Sequence, residues 1–155
     1  VTDDTFRAAI DHHVLANKLR ADGELDDAAM HERRAIAIRR GNGDVAGLAH
    51  ALRHLADILI EANQPDEAKP YLDEALSLYA SLPDAAPLDI ANAMRSEAQR
   101  RWVIGDDEAA MVVWRLVRDR YAALDETFRA ITGTDTNPGV EEAERWIARL
   151  ENIQR

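Results

Sequence analysis

The 155-residue chain contains no cysteine. That absence removes disulfide frameworks, thiolate metal sites and thiol nucleophiles together. Glycine and proline are scarce, at 7 and 5 residues, too few for an all-β fold built on repeated turns. Aromatic residues make up only 5%, so packing through small residues has to supply much of any core. No apolar run is long enough to cross a bilayer as a helix. The chain begins at Val1 rather than Met, as a processed or trimmed chain does. Its opening VTDDTFRAAIDHH has neither the basic start nor the apolar centre of a secretory signal. Cytoplasmic residence is the expectation. Positive charge is in the minority, with 19 basic against 29 acidic residues and a net charge of −10. Wholesale binding to nucleic acid or to an anionic membrane needs the opposite field. Glycine-rich phosphate loops, GxSxG and HExxH are all missing. The expectation is a non-enzymatic protein without a cofactor.

What is present favours helix. Hydrophobic residues reach 46% and charged residues 31%, a balance that suits one globular domain. The clearest stretch is Leu52 to Tyr79. Leu52, Leu55, Ala56 and Leu59 have the three-and-four spacing of an amphipathic helix, as do Ala68, Leu72, Ala75, Leu76 and Tyr79. Asn63-Gln64-Pro65-Asp66 between them combines a residue that tolerates the left-handed conformation with a proline that opens a helix. The unit is a helical hairpin, and neither helix can bury its apolar face alone.

Similar patterns flank it. A first helix is expected over Asp3 to Ala21 with Thr2 as N-cap, facing the core with Phe6, Ile10, Val14 or Leu15, and Leu19. A second is expected over Leu25 to Arg40, with Ala28, Ala29, Ala35, Ile36 and Ile38 inside. His12 takes a bulky inter-helix position and reads as a packed core histidine. Asp44 caps a third helix to about Ala62, and Pro65 to Ser81 forms the fourth. A fifth covers Leu88 to Ile104. The sixth begins at Asp106 or Asp107 and stays in phase to Ile131, so a continuous helix to Thr132 and a break near Asp125 both fit. Asn137 caps a last helix opened by Pro138, with Val140, Ala143, Ile147 and Leu150 inside and Trp146 at the edge of that face.

The three hairpins are copies of one another. Gly23, Asn63 and Gly105 mark their turns, 40 and 42 residues apart. Ala16, Ala56 and Ala98 repeat at the same intervals, as do Ala28, Ala68 and Ala110, and His12, Leu52 and Met94. The middle copy reads Leu52-x2-Leu55-Ala56-x2-Leu59 and then Ala68-x3-Leu72-x2-Ala75. This pattern resembles the tetratricopeptide repeat (TPR), in a longer spacing similar to that of kinesin-light-chain-like and many bacterial repeats. The resemblance covers about Phe6 to Leu124. Glu32, Glu97 and Arg101 depart from it, standing where the pattern wants apolar residues.

The resemblance implies an all-α right-handed superhelix of antiparallel hairpins. It would be one TPR-like solenoid domain over 1–155, with repeats at about 3–41, 44–82 and 87–132 and a capping helix at about 138–153. It also implies a concave groove lined by the first helix of each pair. Carried over position by position, the groove presents His13, Arg53 and Arg95 on one rung, and Asn17, Asp57 and Gln99 on a second. Ile10, His50 and Asn92 form a third, with Arg20 and Trp102 further along. Arginine forks suit carboxylates, and amides suit a peptide backbone. The implied function is a protein–protein interaction module. Its partner would be a protein or peptide, acidic or carboxylate-terminated, with Asp57 serving to orient Arg53 or Arg95. The same positions read otherwise as a solvated polar face. Self-association into a homodimer or scaffold, through Trp146 and Ile153 or the open face of the first hairpin, is the alternative. A third possibility is a metal- or small-ligand-binding helical protein. His50, His54, Asp57 and Glu61 share one stripe of the third helix, and histidines at i and i+4 can share a metal. Arg53 beside them counts against a cation there.

Overall fold

A computed structural model describes residues 2–153. Every regular element among them is a helix: α1 (Asp3–Ala21), α2 (Leu25–Asn42), α3 (Val45–Glu61), α4 (Pro65–Ser81), α5 (Pro87–Val103), α6 (Asp107–Ala122), α7 (Asp125–Thr132) and α8 (Pro138–Ile153). The chain divides into two compact units, Val1–Ala85 and Ala86–Arg155. Consecutive helices pair in both, as expected of an all-α repeat.

The repeat is most exact at its turns. Gly23, Asn63 and Gly105 all have positive φ, at 82°, 59° and 79°. At each turn the same two hydrogen bonds close the preceding helix. Glu24, Gln64 and Asp106 donate their N–H to the carbonyls of Leu19, Leu59 and Arg101, at 2.9, 2.8 and 2.9 Å. Gly23, Asn63 and Gly105 donate to Arg20, Ile60 and Trp102, at 3.1, 3.0 and 3.0 Å. This is the Schellman motif, and it needs a left-handed residue at each turn, a conformation open to Gly and Asn.

In the first unit, α1 packs on α2, α2 on α3, and α3 on α4. α3 is buried on nearly every side, from Leu48 to Ile60. The seam of α1 differs from expectation. Ala9 and Ala16 are fully buried, whereas Phe6, Ile10, Val14 and Leu15 are 45%, 39%, 59% and 39% exposed. Alanines let two helix axes approach closely, and the larger side chains flank that contact rather than fill it. His12 is likewise no core histidine. It is half-buried and stacks on His31 of α2, with the two Nδ1 atoms 2.9 Å apart.

In the second unit, α5 pairs with α6, and α8 packs on α6. The core is Ala91, Ala98, Ala110, Trp114, Val117, Tyr121, Ala143, Ile147 and Leu150, with Trp102 and Trp146 partly buried against it. Trp146 stacks on Trp114 at 5.6 Å, which leaves it less surface for another chain than an edge position suggests. The sixth helix does break: α6 ends at Ala122 and α7 starts at Asp125. Asn137 holds the break by donating from Nδ2 to the Tyr121 carbonyl at 2.8 Å and to Asp125 at 2.7 Å. Its Oδ1 accepts from the N–H groups of Gly139 and Val140 and so caps α8 as expected.

Candidate functional site

On α1 and α3, residues three and four apart share a face. In the first unit the polar stripes of these two helices meet. The His13 and His50 ring centroids are 5.1 Å apart, His13 and His54 4.5 Å, and His50 and His54 4.5 Å. One potential ligand nitrogen from each ring lies within 4.8 Å of the other two.

The surrounding charges fix the rings. Glu32 of α2 is fully buried, and both its oxygens meet His13 Nδ1, at 3.0 and 3.1 Å. A carboxylate only accepts, so His13 donates from Nδ1. His13 Nε2 then accepts from the Asn17 amide at 3.2 Å. Arg53 sends one arm to Asp57 at 2.9 Å and the other to His54 Nε2 at 3.0 Å. A guanidinium only donates, so His54 accepts at Nε2 and carries its proton on Nδ1. That Nδ1 is buried and has no hydrogen-bond partner. Burial pushes the His54 pKa down, and the nearby Arg53, His50, His13 and Arg20 push the same way, to about 2. The ring is therefore neutral at physiological pH. Arg20 grips both oxygens of Glu61 with its Nε, at 3.0 Å each.

Each residue expected to line the groove is thus already engaged in the first unit. Asp57 orients Arg53, as one of its expected roles required. The metal set suggested by spacing alone, His50–His54–Asp57, is not the one that gathers. Asp57 is taken by Arg53, and His13 from α1 joins His50 and His54 instead. Glu32 was legible only as a misfit. It stands four residues after Ala28, where the other copies carry Leu72 and Trp114. All three are fully buried. A carboxylate in a position that must be buried calls for a partner, and His13 is that partner.

In the second unit Arg95 forms a two-pronged pair with Glu142 of α8, at 2.6 Å on each arm. Asn92 accepts from the Tyr121 hydroxyl at 2.6 Å. Trp102 meets Trp146 at 4.7 Å, and the Arg149 guanidinium lies 4.8 Å from the Trp102 ring and 5.1 Å from that of Trp146. Gln99 is half-buried on α5. The two other misfits of the repeat pair with each other. Burial pushes the Glu97 carboxyl up, but hydrogen bonds from Arg100 and Arg101 outweigh it and hold it below its ordinary range. A shallow groove of about 540 Å³ lies elsewhere, on the second helices, beside Arg33, Ile36, Arg40 and Tyr71.

Nothing in these contacts assembles a nucleophile with a base. No helix among the described residues is long and apolar enough to cross a membrane. No curated protein matches the chain. Residues 6–81, which span α1 to α4, match the family model described as Tetratricopeptide repeat. Repeats of this family mediate protein–protein interaction and are typically non-enzymatic. Two hairpins with matched alanine seams and matched Schellman turns underlie that match, and through them the chain belongs to the tetratricopeptide repeat family.

Proposed function

We infer that this chain is an interaction module whose first unit binds an extended segment of a partner protein along its first helices, α1 and α3. The observation that carries this is the family match over 6–81, together with the polar stripes that α1 and α3 present within it. A partner bearing a carboxylate suits the arginines best. Exposed ion pairs are worth only about 0–1 kcal/mol, so a ligand carboxylate can exchange with an internal one at little cost. Arg20–Glu61, with Glu61 exposed, is such a pair, whereas Arg95–Glu142 is half-buried and two-pronged and exchanges at greater cost. Arg53–Asp57 is different, since Asp57 is only 4% exposed. Arg53 is a support for the α1–α3 face and Arg20 its contact residue; in the second unit, taken by itself, Arg95 of α5 is the contact residue. Cytoplasmic residence belongs to the same proposal, and self-association into a scaffold is the alternative to it.

A peptide array probed with the full chain tests this. Carboxylate-terminated or acidic peptides should bind, weaken as salt is raised, and lose affinity with Arg20→Ala or Arg95→Ala while the helicity stays that of wild type. Arg53→Ala should instead lower stability, by about 3 kcal/mol for an opened buried pair. Binding indifferent to both arginines would refute the assignment of these contact residues.

A further inference from the structure

The fully buried Glu32 has one hydrogen-bonding partner among the described residues, the Nδ1 of His13. That bond engages Nδ1 and leaves Nε2 as the nitrogen through which the ring can take a metal, and the His50 and His54 rings stand beside it with centroids 5.1 and 4.5 Å away.

We propose that His13, His50 and His54 form a binding site for a divalent transition-metal ion such as Zn²⁺, with Glu32 as the buried carboxylate that orients His13 toward it. Imidazole nitrogen suits this group of metals, and three protein nitrogens leave a fourth position open for water or a partner's side chain. A carboxylate behind a ligating histidine fixes its tautomer and raises its basicity. The nitrogens lie within 4.8 Å of one another, and a bound ion would draw them to the ~3.3 Å of a tetrahedral site with ordinary Zn–N bonds. Two lone pairs of the site are engaged by weaker donors: His13 Nε2 by the Asn17 amide, and His54 Nε2 by one arm of Arg53. A metal takes both. It displaces the exposed amide and one guanidinium arm, and Arg53 keeps Asp57 through the other arm. The site lies on the same α1–α3 face, but it rests on the histidine geometry and not on the peptide-binding reading.

The test uses the full chain without a histidine tag, with Co²⁺ and Zn²⁺ as probes. Co²⁺ should give visible d–d absorption saturating at one ion per chain, and Zn²⁺ should abolish it. In the wild type, Zn²⁺ should move the imidazole ¹⁵N resonances of His13, His50 and His54, leaving His12 and His31 in place. His50→Gln should lose the d–d bands, and Glu32→Gln should weaken binding by about 10–100-fold. His12→Gln should change nothing. The proposal is overturned by the absence of d–d bands and resonance shifts, by shifts confined to His12 and His31, or by equal uptake in His50→Gln. An imidazolium signature at His13 in metal-free and Zn²⁺-treated protein alike would also sink it, because a doubly protonated ring has no lone pair for a metal. Should Glu32→Gln lose its helicity, the wild-type resonances and His50→Gln still decide.

Discussion

Two histidines in the first unit are held neutral by their surroundings, and each makes stability depend on pH. Burial lowers the pKa of His54 from 6.5 to about 2, with Arg53, His50, His13 and Arg20 adding to the effect. Burial also lowers that of His12, helped by His31 and Arg34 and opposed by Asp11. A depressed histidine pKa means that the unfolded chain takes up protons which the folded chain refuses. Stability is therefore full above the unfolded value of 6.5 and falls as the pH drops below it. Urea melts of the chelator-treated protein between neutral and mildly acidic pH should show the midpoint falling. A midpoint that is flat or rises over that range would contradict the burial of these rings. His54→Gln should flatten the slope, since it removes the larger of the two shifts.

At the scale of helices, alanine seams and glycine contacts set how closely pairs approach. Gly139, in the first turn of α8, lies against the Tyr121 ring of α6. A Cβ built there would stand 2.6–2.8 Å from three ring carbons, well inside contact distance. Tyr121 cannot simply step aside, because it is buried and its hydroxyl is bonded to Asn92. Gly139→Ala should then lower the thermal midpoint, at a cost of about 1–3 kcal/mol typical of overpacking. Gly41→Ala is the control, since a Cβ there meets nothing within 4 Å. Comparable melting of the two variants would show that α8 does not seat on α6 as described.

Across the whole chain, charge matters more in sum than in pairs. Several of the ion pairs join exposed side chains, such as Arg33–Glu67, Arg40–Glu74 and Arg115–Glu151. Each contributes little, whereas a net charge of −10 repels itself in the folded state. Moderate salt screens both effects. The sum should dominate, so the melting temperature should rise as sodium chloride is added from low ionic strength. A monotonic fall would mean that the ion pairs outweigh the repulsion.

Helix order, turn positions and the three-copy repeat could be read from the sequence because they rest on local rules. Alanine and leucine spacing, capping residues, and Gly or Asn at the turns act within a few residues of one another, so Asp3–Ala21 and Pro65–Ser81 match their expected bounds. The break after Ala122 is not decided by the sequence, because a continuous and a broken helix both keep the apolar phase. A long-range contact, Asn137 to Tyr121 and Asp125, decides it. The expected seam of α1 differs for a similar reason. Periodicity identifies an apolar stripe, but only the helix packed against it selects Ala9 and Ala16 over Phe6 and Val14. The histidine cluster belongs wholly to tertiary structure. Spacing could join His50 to His54 on one helix, yet His13 and Glu32 come from two other helices. Sequence alone determined that Glu32 was out of place in a repeat position. Folding decided what it was placed for, because a buried charge finds its partner through space and not along the chain.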